Sequence, residues 1–199
     1  MIWYEDEVKR LEAERLKYKY APETIFYGSS SIRMWSSLYT DFADFKPANL
    51  GFGGSTMAAC VWFFERIFLS IKPKQIILYA GDNDLGDGRH PEEVFIFFQQ
   101  ILARINESFG DISFAYISIK PSVARMAIAE SIKYANKLIA GEMAKYPNMQ
   151  YIDVYTPMTD AAGNPRRELF LPDGLHMSNK GYELWKPLVF NYLAGLEHF

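Results

Sequence analysis

Two short segments, one near each end of the chain, carry side chains that together could activate a hydroxyl nucleophile. Residues 25–31 read IFYGSSS, which is typical of a buried strand running into a Gly-Ser turn. Asp173 and His176 precede a segment with helical periodicity. A serine, a histidine and a carboxylate are the parts of an activated serine nucleophile. Each segment alone also fits a structural role, since serine is a favoured helix N-cap and a surface Asp-His pair is usually solvated.

A glycine-rich segment, residues 51–56 (GFGGST), lies between them. Glycines let backbone N–H groups approach a ligand closely, and Ser55 or Thr56 could cap a following helix. The alternative is a tight turn between a strand and a helix, which this class of fold needs in any case.

Residues 81–84 (GDND) follow a very apolar run. The amide of Asn83 could donate a hydrogen bond to a developing oxyanion, although Asn and Asp also form Asx turns. A calcium loop is disfavoured, because counting from Asp82 places Asp87 where the EF-hand needs glycine.

The spacing of Asp173 and His176 predicts that both lie on one side of a helical turn. The carboxylate could then reach the imidazole, hold its tautomer and stabilise the imidazolium. His90, in a polar loop before Pro91, and His198, near the chain end, are poorer candidates for a base.

Alternating elements predict a parallel sheet covered on both faces, because apolar strand-sized runs are separated by longer segments with helical periodicity. The predicted strands are Thr24–Tyr27, Ala48–Gly51, Gln75–Ala80, Ile112–Ile117 and Gln150–Val154. The predicted helices are 5–18, Met57–Ser70, Pro91–Ser108, Ser122–Lys145 and Asn179–Leu196. Ligands of such sheets bind beyond the carboxyl ends of the strands, where the three N-terminal polar segments fall.

Composition limits the function classes. The 199 residues are 49% hydrophobic and 23% charged with a formal net charge of −3, which gives no reason to expect nucleic acid or an anionic membrane as partner. The length fits a single α/β domain, residues 1–199, with residues 1–20 as an N-terminal helical extension. No run is long enough to span a bilayer, and no secretory signal is visible, so a cytoplasmic location is expected. Cys60 is the single cysteine and is expected to pack as a small apolar residue; no zinc-ligand spacing appears.

The four polar segments, in this order, resemble the four sequence blocks of the SGNH hydrolases, also called GDSL-type lipases and esterases. The resemblance spans residues 26–176. It places the nucleophile at Ser30, the triad acid and base at Asp173 and His176, and the oxyanion hole at Ser30, Gly54 and Asn83. One departure is Ser29, which stands where the family usually has an aspartate outside the triad.

This resemblance implies a three-layer α/β/α sandwich of flavodoxin type with a five-stranded parallel sheet. It implies a serine esterase that cleaves a small-molecule ester through an acyl-enzyme, with no metal or organic cofactor. Family substrates include acylated sugars, lysophospholipids and simple esters; the compact chain favours a short acyl group such as acetyl. The N-terminal helix could pack on its own domain or on a second subunit in a homodimer.

Two rival functions are compatible with parts of the sequence. A non-catalytic carbohydrate- or ester-binding domain could use the same scaffold, since fold does not determine activity. A phosphate-binding protein is disfavoured, because the Walker lysine and the Gly-x-Gly-x-x-Gly spacing are missing.

Other residues could shape a substrate pocket. Among the aromatic residues Trp35, Phe52 and Trp62, a position in the core is the more typical one for this composition. The cations Arg33, Lys120 and Arg125 could meet an anionic substrate group, but surface charge or helix-end pairing is the commoner role of such residues.

Overall fold

Five parallel strands form one sheet at the centre of the computed structural model, which describes residues 1–196. The strands start and end within one or two residues of the predicted bounds: β1 (Thr24–Gly28), β2 (Pro47–Gly51), β3 (Gln75–Tyr79), β4 (Ser113–Ile117) and β5 (Met149–Ile152). Their order across the sheet is β2-β1-β3-β4-β5, the flavodoxin-type order. The predicted fold class is therefore confirmed.

Within residues 1–196 eight α-helices surround the sheet. They are α1 (Glu5–Arg15), α2 (Ser30–Arg33), α3 (Leu38–Asp41), α4 (Met57–Phe68), α5 (Asp82–Gly86), α6 (Pro91–Phe109), α7 (Ala129–Met143) and α8 (Asn179–Leu196). The sequence pattern did not predict α2, α3 and α5, because four or five residues are too few to show a helical period. The helix predicted over Ser122–Lys145 is divided into a 3-10 segment, Val123–Ile128, and α7.

The helices cover both faces of the sheet, which gives three layers. In β1 the side chains alternate, so that Ile25 and Tyr27 face one core and Phe26 faces the other. The first core is completed by α1, α4, α6 and α7, and the second by α2, α3 and α8.

Two of the three loop aromatics are core residues, as their composition favoured. Trp35 and Phe52 are fully buried, whereas Trp62 is 70% exposed on the outer face of α4. Cys60 is also buried, and this burial raises the pKa of its thiol well above the ordinary value. The cysteine is therefore a packing residue.

The N-terminal helical region, residues 2–15, is bonded to the glycine-rich segment after β2. Residues 51–54 are called the glycine loop below. The Tyr4 hydroxyl donates to the carbonyl of Gly54 at 3.1 Å, and the Glu7 carboxylate accepts from the N–H of Gly53 at 2.9 Å. Arg10 donates to the carbonyl of Gly51 at 2.9 Å. The N-terminal helix thus packs on its own domain and holds this loop at three points.

No helix within residues 1–196 has the length and apolar character that crossing a membrane requires. His198, considered above as a base, lies outside the described residues.

Candidate active site

The predicted site segments begin at one edge of the sheet. Strands β1, β2 and β3 are paired in parallel, and their ends are level: Gly28 lies opposite Gly51 on one side and Tyr79 on the other. Strand β1, which leads to Ser30, lies between the two strands that lead to Gly54 and Asn83. This register places the three segments side by side at the carboxyl edge.

The turn after β1 requires a glycine. Gly28 has a φ of 130°, and a Cβ at this position would lie 1.9 Å from the carbonyl oxygen of Tyr79. The next residue donates its N–H to that same carbonyl at 2.9 Å. The close approach to β3 turns the chain directly into α2, which begins at Ser30.

The three consecutive serines differ in exposure, and this difference separates their roles. Ser29 is 2% and Ser31 is 4% exposed, whereas Ser30 is partly exposed. Since a nucleophile must be accessible to its substrate, this exposure is compatible with the prediction that Ser30 is the nucleophile. The side chain of Ser29 makes no capping hydrogen bond; its backbone carbonyl accepts from the N–H groups of Ile32 and Arg33. At the position where the resembled family has aspartate, it is thus the backbone that holds the turn.

The backbone donors assigned to the oxyanion hole are available. Among residues 1–196 the N–H groups of Ser30 and Gly54 donate to no protein acceptor. The N–H of Ser30 lies in the first turn of a helix, where such groups have no intrahelical partner. Gly54 has a φ of 69°, and a Cβ there would meet nothing within 4 Å, so the loop is open at this point.

Asn83 connects the third segment to the second. Its amide nitrogen donates to the carbonyl of Ser55 at 3.0 Å, one residue beyond Gly54. The amide has a second hydrogen that this bond does not use. The segment after β3 is therefore bonded to the segment after β2, next to the backbone N–H of Gly54 assigned as a donor.

Asp173 and His176 form a hydrogen-bonded pair. The ring Nδ1 of His176 lies 2.6 Å from Oδ2 of Asp173, and the other carboxylate oxygen accepts from the backbone N–H groups of Leu175 and His176. The bond to His176 and these backbone donors lower the pKa of Asp173 to about 2. The carboxylate is therefore ionised at neutral pH, and its contact with Nδ1 leaves Nε2 as the free ring nitrogen.

A loop, and not the predicted helical turn, brings this pair together. Residues 171–178 precede α8, and a bridge between Phe170 and Met177 closes the loop. The N–H of Leu171 also donates to the carbonyl of His176 at 2.8 Å. The spacing of three residues correctly indicated that Asp173 and His176 are in contact. The contact is made within a closed loop and not within a helical turn.

The contact between serine and histidine stays a prediction. Within residues 1–196 the structure has no hydrogen bond between the Ser30 hydroxyl and the ring of His176. Catalytic hydrogen bonds are often long until the substrate binds. The other histidine with described surroundings, His90, precedes α6 and forms a capping box with Glu93, which is a structural role.

The cations considered for anionic substrates are paired with carboxylates. Lys120 and Arg125 both contact the buried Asp82, at 3.0 and 2.5 Å, and Arg33 contacts Glu7 at 3.0 Å. Burial alone would raise the pKa of Asp82, but the two cations hold it below its ordinary value. No role for Asp82 was predicted from the sequence; its place just beyond the buried apolar residues 76–80 was the available signal.

The neighbouring carboxylate has a structural role. Asp84 accepts from the N–H of Met57 at the start of α4, at 2.6 Å, and burial raises its pKa. No group of three or more His, Cys, Asp or Glu side chains within residues 1–196 is arranged to hold a metal ion.

Comparisons with known proteins show what the chain is similar to. The model of the GDSL-like lipase/acylhydrolase family matches residues 23–184. The chain is 26% identical over 181 residues to platelet-activating factor acetylhydrolase IB subunit alpha2 of Gallus gallus, covering 84% of this chain and 74% of that one.

Solved structures share the fold. A candidate platelet activating factor protein from Streptococcus pneumonia superposes with a TM-score of 0.82 at 20% identity, covering 96% of this chain and 94% of the other. A serine-to-alanine mutant of an acetyl esterase with an acetate ion gives 0.70 at 15% identity, covering 87% and 97%. The family model covers most of the sequence, and all four polar segments lie within the matched residues 23–184. The chain therefore belongs to the GDSL-like lipase/acylhydrolase family.

Proposed function

We propose that the protein is a serine esterase that removes a short acyl group, such as acetyl, from a small-molecule ester. The observation that carries this proposal is the partly exposed Ser30 between two buried serines. Ser30 lies just beyond the end of β1, and the two neighbouring strands lead to Gly54 and Asn83. Membership of a hydrolase family supports the same reaction class.

In the first step His176 takes the proton of the Ser30 hydroxyl through Nε2, and the serine oxygen attacks the ester carbonyl. Asp173 holds Nδ1 and stabilises the imidazolium that forms. The imidazolium then gives its proton to the departing alcohol, which leaves an acyl-enzyme. Water activated by the same histidine hydrolyses the acyl-enzyme and restores the free serine.

The tetrahedral intermediate carries a negative oxygen that needs donors. The N–H groups of Ser30 and Gly54 and the side-chain amide of Asn83 would supply three hydrogen bonds. Each such donor is worth about 10²–10³ in turnover.

A short acyl group is supported by the names of two similar proteins, an acetylhydrolase and an acetyl esterase, which refer to acetyl groups.

The experiment measures p-nitrophenyl ester hydrolysis from acetate to octanoate, with stoichiometric labelling by a fluorophosphonate. We expect the highest kcat/KM on acetate and one label per chain on Ser30. Labelling of Ser30 without a preference for acetate would support the serine esterase and contradict the short acyl group. Absence of both labelling and hydrolysis would favour the non-catalytic binding domain instead.

Ser30→Ala is expected to remove the label and lower kcat by at least about 10³-fold. Ser36→Ala, which changes an exposed serine beyond α2, is the matched control and should hydrolyse like the wild type. Unchanged activity of Ser30→Ala would remove Ser30 from the mechanism.

A further inference from the structure

The amide of Asn83 is held at both ends. Its nitrogen donates to Ser55, as described, and its oxygen accepts from Nη2 of Arg125 at 3.1 Å. A guanidinium can only donate, so it must face the amide oxygen. Arg125 therefore fixes which end of the amide is turned to the glycine loop and leaves the second N–H hydrogen free.

Arg125 is itself fixed on two sides. Its Nη1 pairs with Asp82 at 2.5 Å, and its guanidinium lies beside Gly86 of α5. A Cβ on Gly86 would lie 2.7 Å from Cζ, Nε and Nη2, so a larger residue there would displace the group. The side chain is only 17% exposed.

The charges around Arg125 do not cancel. Asp82 pairs with Arg125 and, through its other oxygen, with Lys120; the side chains of Asp82 and Lys120 are at most 5% exposed. Two cations and one carboxylate give a net charge of +1 next to Asn83. Within this group of three charges it is Arg125 that contacts Asn83, at the oxygen of its amide.

The segment that carries Arg125 also contacts the Asp-His loop. The N–H of Ala124 donates to the carbonyl of Gly174 at 3.0 Å, and a Cβ on Gly174 would lie 3.1 Å from Val123. The 3-10 segment Val123–Ile128 thus contacts Asn83 through Arg125, and it contacts the Asp-His loop through the neighbouring Ala124.

We propose that Arg125 is a positioning residue that orients the Asn83 amide and strengthens it as an oxyanion donor. The proposal rests on the serine-esterase function given above. A donor bound to the oxygen of an amide polarises it, so that its N–H hydrogens become better donors. Arg125 acts through Asn83 and needs no contact with the substrate.

A double-mutant cycle with p-nitrophenyl acetate tests this. Arg125→Gln is expected to lower kcat about 10- to 100-fold with KM within twofold of the wild type, because the oxyanion exists only in the transition state. Asn83→Ala is expected to lower kcat about 10²–10³-fold. The kcat of the double variant should lie within about threefold of the kcat of Asn83→Ala. A loss equal to the product of the two single-variant losses would overturn the proposal.

Arg89→Gln is the matched control, since Arg89 lies 3.9 Å from Asp84 in the same turn region and does not contact Asn83. Its kcat should stay within about twofold of the wild type. An equal loss in Arg89→Gln and Arg125→Gln would show a general effect of surface charge and contradict the specific role of Arg125.

Gly86→Ala keeps every charge and displaces the guanidinium, so it decides the question if Arg125→Gln does not fold. We expect a lower kcat that is again not additive with Asn83→Ala; an unchanged kcat would overturn the proposal. Fluorophosphonate labelling of the wild type separates the two proposals. A labelled, active wild type with an unaffected Arg125→Gln defeats only this inference, whereas an unlabelled, inactive wild type defeats the esterase function and this inference together.

Discussion

The hydroxyl of Tyr4 donates to the carbonyl of Gly54 at 3.1 Å, which connects the N-terminal helical region to the loop assigned to the oxyanion hole. The bond fixes the peptide that follows the proposed backbone donor. Together with the bonds of Glu7 and Arg10, it gives the N-terminal residues a role in holding the glycine loop.

Tyr4→Phe removes this hydrogen bond and keeps the ring in the core. A bond of this kind is worth about 0.5–1.5 kcal/mol, so we expect kcat to fall about 2- to 10-fold if the loop loses its geometry. Tyr20→Phe is the matched control: the Tyr20 hydroxyl donates to the carbonyl of Pro47 at the opposite end of β2. Equal kcat values for the two variants would show that the Tyr4 bond does not position Gly54.

Asp173→Asn tests the orienting carboxylate. An asparagine offers either an amide donor or a neutral acceptor to Nδ1, so the histidine loses its preferred tautomer and the stabilisation of its charged form. We expect kcat to fall about 10³–10⁴-fold with little change in the melting temperature, as measured by calorimetry. Asp160→Asn is the control, because Asp160 accepts two backbone N–H groups in an exposed turn with no described histidine bonded to it. A similar loss in both variants would point to loop folding and not to catalysis.

The pH dependence follows from the lowered pKa of Asp173. A carboxyl whose pKa is depressed on folding gives its stabilising contact above its unfolded pKa and loses it as the pH falls through the folded value, here about 2. Between pH 4 and 8 Asp173 therefore stays ionised. Asp173→Asn should lower kcat/KM across this whole range without creating a new acid limb, and a pH at which the variant matches the wild type would contradict the assignment.

Asp82→Asn tests the buried charges for their effect on stability. The substitution leaves Lys120 and Arg125 buried without a counter-charge, and breaking a buried pair in this way costs about 3–5 kcal/mol of unfolding free energy. The pKa of Asp82 is lowered on folding, so its contribution is present above the unfolded pKa and is lost as the pH falls through the folded value. Urea unfolding at pH 7 should show this loss. Adding Lys120→Met to Asp82→Asn removes one of the unpaired cations and should restore part of the unfolding free energy. Equal unfolding free energies for wild type and Asp82→Asn would contradict this account.

Two glycines with positive φ should respond differently to alanine. Gly28→Ala would place a Cβ 1.9 Å from a carbonyl oxygen of β3, so we expect little folded protein. Gly54→Ala meets no atom within 4 Å and retains its N–H; it should cost about 1–2 kcal/mol for the left-handed backbone and keep most of kcat. Circular dichroism and ester hydrolysis would measure both, and comparable folding of the two variants would contradict the argument from close approach.

Local pattern predicted most of the framework. Apolar runs such as residues 75–80 marked buried strands, and long periodic segments marked the major helices to within a few residues. The single turns of α2 and α5, which position Ser30 and Asn83, were missed because they are too short to show a period. Turn chemistry and close backbone contacts determine them instead.

Contacts between distant segments were the part that sequence could not supply. Nothing in the order of residues indicates that Arg125 bonds to Asn83, or that Tyr4 bonds to Gly54; both depend on how the helices pack on the sheet. The Asp-His contact was predicted from its spacing, since three residues bring the side chains together in a loop as well as in a helix.

The parallel sheet has a second edge, which none of the assigned site residues occupies. At that amino edge the turn between Phe109 and Ser113 joins α6 to β4, and its central residue, Asp111, is exposed. We therefore expect a cut or an insertion at this turn to leave the parts proposed for catalysis in place. For protein engineering, the site at which the polypeptide would be cut thus lies at the opposite end of the sheet from the residues proposed to cleave the ester.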